Sequence, residues 1–311
     1  MSSLRERYSL AMTAPAPRCT LKAAISAVGR GLHSGADVTM ALKPAGVGAG
    51  ISFRRTDLGL DIPARFDHVA DTRLCTVLAE GEARVGTVEH LMAALLAAGI
   101  DDVIVEVDAP ELPVFDGSAA PFLFLIESAG VVEHGGLRAQ LEILRPVRIE
   151  QNGAFAELRP HHDGGAGFDV SLSIEFAAEA IGAQAYHFHL SAEGFAEEIA
   201  AARTFTQLGE IEALHKAGLA KGGSLANAIV VDGAKVMNPE GLRFADEFVR
   251  HKLLDVLGDL ALAGVPISGR FIGGRTGHAL NNQLLCALFA DQGNYRLVTG
   301  LVAAPEQLTA A

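Results

Sequence analysis

A chain of 311 residues is longer than one hydrophobic core comfortably serves, so two domains of ordinary size are expected. Half of the residues are apolar and a fifth are charged, which excludes a disordered protein. A formal charge of −12 without basic clusters excludes duplex nucleic acid as the main partner, and three widely spaced cysteines without a C-x-x-C pair fit a reducing, cytoplasmic compartment rather than a disulfide framework.

Residues 1–17 hold an acidic residue and two prolines around a short apolar patch and read as a disordered extension. No apolar run reaches the roughly 20 residues that span a bilayer. CTLKAAISAVG and ADVTMALKP flank the glycine-rich turn RGLHSG and read as strands, as does ISFRRT. TVEHLMAALLAAG reads as a helix, with Thr87 as its N-cap, Glu89 in the first turn and Gly99 as its stop. IDDVIVEVDAP is a strand, ELPVFDGSA a loop and PFLFLIESAG a second helix.

Composition shifts around HGGLR, which sets a domain boundary between residues 136 and 137. LEILRPVRIE, GAFAELRP and GFDVSLSIEF alternate as strands, and EGFAEEIAAAR and LGEIEALHKAG read as helices. The loop GLAKGGSL and the strand NAIVVD follow; FADEFVRHKLLDVLGDLALAG is the longest helix, ISGRFIGG a strand and GHALNNQLLCALFADQG a last helix. Each half thus carries a helix with a histidine near its start, His90 or His251, then a glycine and a strand. This weak internal echo would set two helices face to face with a metal at their seam.

The local chemical signal is RHKLLD. His251 and Asp255 are four apart on a helical pattern and project from one face, where both can ligate zinc. By itself such a pair is more often a hydrogen bond on a helix surface. Asp259 extends the same face by a turn, and a row of buried acids needs a positive partner. Glu89 stands beside His90, where a carboxylate could serve a metal-activated water, although taken alone TVEHLMAAL is better explained as a capped amphipathic helix. His278 sits at a helix start, where the dipole disfavours its charge, so a carboxylate is expected nearby, with Asp259 the natural candidate. GLAKGGSL is not a Walker A loop. His161, His162, His187 and His189 read as structural or exposed, and Cys75 as a buried small residue.

GLHSG, RRTD, TVEHLMAAL, ELPVFDGSAAPF, ARTF, GGSLANAIVVD, LRFADEFVRHKLLDVLGDL and GHALNN occur in that order. Together they resemble the UDP-3-O-acyl-N-acetylglucosamine deacetylase family, zinc enzymes of lipid A biosynthesis, from about residue 19 to about residue 300. The resemblance implies an α+β fold: two similar α+β domains (18–136 and 137–311) packed helix to helix in a β-α-α-β sandwich, each with an insert. The second insert, βαβ near 205–233 and including Phe205, would line a passage for the acyl chain.

The resemblance also implies roles. His90, His251 and Asp255 would hold Zn²⁺ with a water completing the site. Glu89 would be the general base, and His278 the protonated partner of the oxyanion and leaving amine, charged and oriented by Asp259. Thr204 would donate to the oxyanion and Lys252 would contact substrate. The implied substrate is UDP-3-O-acyl-N-acetylglucosamine, acted on by a cytoplasmic monomer. Thr206-Gln207 and Lys221 depart from the family pattern and bear on acyl-chain preference. Two other readings stay open: a zinc-free sugar-nucleotide or lipid-binding protein on the same fold, and a zinc amidase for another substrate.

Overall fold

The structure is a computed structural model that describes residues 16–162 and 165–299. Residues 1–15, most of the segment expected to be a disordered extension, and the apolar tail 301–311 lie outside the described residues.

Alternation along the first strands sets one face of a sheet inward. Strand Asp37–Pro44 buries Val38, Met40 and Leu42 and turns Asp37 and Thr39 outward. It lies second in a five-stranded sheet ordered Ile25–Arg30, Asp37–Pro44, Val103–Val107, Ile51–Arg55 and Leu60–Pro63. Only the pairing of Val103–Val107 with Ile51–Arg55 is parallel. Beside it Val69–Asp71, Val77–Glu80 and Ala83–Val85 form a small antiparallel sheet that no pattern in the sequence predicts, because strands of three or four residues are too short to show a period.

The second half is built on a seven-stranded sheet centred on Ile267–Gly274. That strand pairs antiparallel with Ala154–Arg159 on one side, and on the other runs parallel first to Ala139–Ile143 and then to Phe168–Glu175. Six of its eight residues are buried, as a central strand requires. The HGGL of HGGLR ends the strand Val131–Leu137, which pairs antiparallel with Pro17–Leu21.

Five helices matter to the site: α1 (Glu89–Ala97), α2 (Ala120–Ala129), α3 (Leu208–Lys216), α4 (Glu247–Ala261) and α5 (His278–Phe289). EGFAEEIAAAR differs from its expected helix. It forms one turn, Ala192–Gly194, that widens into a π-helical turn, Phe195–Ile199, with Phe195 and Ile199 in the core. The capping of α1 also differs. Val88 is the N-cap residue, and Thr87 takes a left-handed φ of 56° while its hydroxyl donates to Glu111 Oε1 at 3.0 Å.

Helices α1 and α4 pack against each other, with α2 beside α1 and α5 beside α4; α4 and α5 cover the larger sheet. Small residues permit this. Where α1 meets α4, Gly258 faces the backbone carbonyl of Glu89, and any Cβ there would overlap it. One continuous apolar cluster runs through both halves. In α4 twelve of fifteen residues are buried, Glu247, His251, Asp255 and Asp259 among them, so each of these four needs a polar or cationic partner. Between Ala202 and Asn238, Phe205–Gln207 and Ile229–Asp232 run parallel and are joined through α3. Among the described residues no helix is long and apolar enough to cross a membrane.

Candidate active site

The close approach of α1 and α4 brings His90 to His251 and Asp255. His90 Nε2 lies 3.8 Å and His251 Nε2 3.5 Å from Asp255 Oδ1, and one ligand atom from each residue falls within 4.8 Å of the others. All three are buried. His251 Nδ1–H donates to the Ala202 carbonyl at 3.0 Å, which fixes the tautomer and leaves Nε2 with its lone pair toward the group. Burial, and then the neighbouring His251, lower the His90 pKa to about 3; burial likewise lowers that of His251. Both rings are therefore neutral donors. Burial opposes ionisation of Asp255, but the charge of Lys252, and with it that of His278, prevails and holds its carboxyl well below the usual range. Lys252 Nζ donates to Asp255 Oδ2 at 2.7 Å. Two neutral imidazoles and a carboxylate in a buried cluster make a donor set that suits a divalent metal.

The remaining titratable groups sit around this cluster. Glu89 is pushed up to about 7, first by burial and then by the charges of Asp255 and Asp259 against the opposing His278. His278 is pushed up to about 9: burial disfavours its charge, but the charge and hydrogen bond of Asp259 outweigh that. His278 Nδ1–H donates to Asp259 Oδ2 at 2.9 Å, the carboxylate expected beside this helix start, and His278 Nε2 faces Glu89 Oε1 at 3.9 Å.

A cavity of about 190 Å³ collects these groups: Glu89, His90, His251, Lys252, Asp255 and His278 line it, and so do Thr204 and Phe205. Asp259 stands behind it, bonded to His278. All nine residues singled out from the sequence therefore come together. Phe205 packs edge-on against Phe248, and its ring centroid lies 6.3 Å from that of His251. The small cavity shares Leu32, Thr204 and Phe205 with a larger, mostly apolar groove of about 860 Å³ between α3 and the chain from Ala220 to Met237.

Residues 18–290 match the LpxC family model, described as UDP-3-O-acyl N-acetylglycosamine deacetylase. The chain belongs to the LpxC family. Among its relatives, the UDP-3-O-acyl-N-acetylglucosamine deacetylase of Shewanella sp. (strain W3-18-1) is 47% identical over 285 residues, which cover 90% of this chain and 92% of that protein. The protein of the same name from Anaeromyxobacter dehalogenans (strain 2CP-C) is 48% identical over 288 residues, 92% of each chain. That from Legionella pneumophila (strain Corby) is 46% identical over 277 residues, 88% of this chain and 90% of the relative.

Around the LpxC-family motifs the structure adds residues that sequence reasoning did not single out. Asn281 Nδ2 donates to Asp259 Oδ2 at 2.8 Å, and its place in GHALNN, one turn after His278, is a signal that could have found it. Thr76 bonds both Glu89 and Asp259 and carries no such signal. Glu111, in ELPVFDGSA, accepts the backbone N–H groups of His33 and Ser34 at 2.8 Å each and so ties the GLHSG loop to the entry of α1. His33 lies at the junction of the small cavity and the groove, and burial lowers its pKa.

Proposed function

We propose that this protein is a zinc-dependent hydrolase that removes the N-acetyl group of UDP-3-O-acyl-N-acetylglucosamine, giving acetate and the free amine, in lipid A biosynthesis. The observation that carries the reading is the opposition of Glu89 Oε1 and His278 Nε2, 3.9 Å apart, beside a buried His-His-Asp group. A base and an acid facing each other beside a group able to ligate a metal form a constellation suited to amide hydrolysis.

His90, His251 and Asp255 would hold the metal, and their two imidazole nitrogens and one carboxylate fit Zn²⁺ with an open position. When bound, Zn²⁺ supplies Lewis acidity and lowers the pKa of water to about 7. Glu89 Oε1 takes a proton from the attacking water as the C–O bond forms at the acetyl carbon. Thr204 donates to the developing oxyanion, next to the charge of His278. The C–N bond then breaks, and His278 Nε2–H gives its proton to the leaving nitrogen while Asp259 holds the ring from behind. Lys252, one-fifth exposed, contacts the substrate at the rim, and Phe205 lines the start of the acyl groove. The 18–136 and 137–311 segments act as two domains with the site between them, and the enzyme works as a cytoplasmic monomer. The family membership and the apolar groove opening beside the metal-ligating group support this substrate over other amides.

A coupled assay of acetate release over a panel of acyl-chain lengths tests the reading, with zinc content measured on the same preparation. Release that depends on both the acyl chain and about one zinc per chain is expected. No acetate, or full activity without metal, would sink it.

A further inference from the structure

Thr76 immediately precedes the strand Val77–Glu80, is 2% exposed, and touches two parts of the site at once. Its backbone N–H donates to Glu89 Oε2 at 3.1 Å, and its hydroxyl donates to Asp259 Oδ1 at 2.6 Å. The direction of the second bond is fixed because an ionised carboxylate only accepts. The Thr76 carbonyl accepts from Val88 N at 3.5 Å, so the same residue is also tied to the entry of α1.

These bonds determine which atoms of the two proton carriers face the cavity. Glu89 Oε2 is engaged from behind, which leaves Oε1 in front. His278 Nδ1 is engaged by Asp259, itself held by Thr76 and Asn281, which leaves Nε2 in front. The two front atoms are those that stand 3.9 Å apart.

We propose that Thr76 is a positioning residue for the hydrolysis, its amide registering Glu89 and its hydroxyl registering His278 through Asp259. This rests on the hydrolase reading above. Without the hydroxyl, Asp259 keeps the donors of His278 and Asn281 but loses the one from the opposite half of the chain. Its carboxylate can then rotate, and the His278 ring follows. Misplacing a reacting group by about 1 Å can cost on the order of 100-fold in rate. The Thr76 amide and the metal-ligating group are untouched by such a change, so the loss falls on proton delivery to the leaving amine, in kcat rather than KM.

Thr76→Val keeps the branched shape and the amide, and Thr76→Ser restores the hydroxyl. The valine variant is expected to lower kcat on UDP-3-O-acyl-N-acetylglucosamine by about tenfold or more, and the serine variant to recover most of it. KM, Tm and the Kd for Zn²⁺ by chelator competition are expected to stay within about twofold or a few degrees of wild type. The downfield imidazole N–H resonance of His278, assigned by its loss in His278→Gln, is expected to shift in the valine variant and return in the serine one. Wild-type kcat in Thr76→Val, equal losses in both variants, an unmoved resonance, or a loss matched by weakened zinc binding or a fallen Tm overturns the proposal. A wild-type protein that leaves the substrate intact overturns the hydrolase reading alone, and the resonance still decides whether Thr76 sets the ring.

Discussion

Gly258 of α4 faces the backbone carbonyl of Glu89 in α1 so closely that no side chain fits between them. Helix packing and site assembly are thereby the same event, since the contact fixes how near His90 and Glu89 stand to His251, Asp255 and Asp259. Gly258→Ala would gain about 1 kcal/mol of helix propensity. Forcing a methyl into a packed interface costs about 1–3 kcal/mol and displaces the backbone. The variant is expected to be less stable in urea unfolding and to bind zinc more weakly in chelator competition. Retention of wild-type zinc affinity would show that the helix spacing does not set the metal-ligating group.

Glu89→Gln separates the proposed base function from the scaffold. The amide oxygen of glutamine can still accept from the Thr76 N–H, and the neutral side chain removes a buried carboxyl, so folding and metal content are expected to survive. A positioned general base contributes roughly 10²–10⁴-fold, and kcat is expected to fall by that order. Zinc analysis and steady-state kinetics on one preparation check both halves of the expectation. Near-normal turnover with zinc in place would remove Glu89 from the chemistry.

His278 gives the pH dependence a definite sign. Its pKa in the folded protein is raised to about 9, and the proposed acid role needs the protonated ring, so kcat is expected to fall as pH rises through about 9. Asp259→Asn removes the charge that outweighs burial, and the basic limb of the kcat profile is expected to move to lower pH. Stability follows the same sign. The contribution of the His278–Asp259 pair is complete below the ordinary histidine pKa of about 6.5 and is lost as pH rises through about 9. Urea unfolding of wild type and His278→Gln at pH 6 and pH 10 checks this, with the larger pH-dependent loss expected in wild type.

Much of this was legible in the residues, for reasons that differ by site. His251, Asp255 and Asp259 lie on one helix face, and the i, i+4 rule brings them together whatever the tertiary fold. His90 is 161 positions from His251 in the chain, and nothing in its own helix marks it as a candidate ligand; only the ordered family motifs place it with the His251–Asp255 pair. Thr76 was invisible because its work depends on two long-range hydrogen bonds and a three-stranded sheet too short to leave a periodic trace. Thr87 reads as a helix cap because the cap rule is local, whereas its left-handed φ of 56° and its bond to the buried Glu111 carboxylate, set by another part of the chain, take it out of that place.

The ion pair of Arg203 and Glu247 anchors both sides of the site from outside it. Both residues are buried, and Arg203 Nε donates to Glu247 Oε1 at 2.8 Å. Glu247 also accepts the backbone N–H groups of Arg203 at 3.0 Å and Arg243 at 2.6 Å. Arg203 immediately precedes Thr204, and Glu247 lies one helical turn before His251, so the pair ties the proposed oxyanion donor to a proposed metal ligand. Glu247→Ala leaves two backbone amides and the Arg203 Nε–H without their acceptor, while Glu240 Oε1 still accepts from Arg203 Nη1 at 2.7 Å. Breaking a buried pair from one side costs about 3–5 kcal/mol, and the retained Glu240 partner sets the loss here at the low end, about 3 kcal/mol. A destabilisation of that size in urea unfolding is expected, and Arg203→Met with Glu247→Leu is expected to recover much of it because no charge is then left buried alone. If the double variant is stable yet turns over slowly with zinc bound, the pair serves chiefly to hold Thr204 in register; if it is as fast as wild type, the backbone alone sets that position.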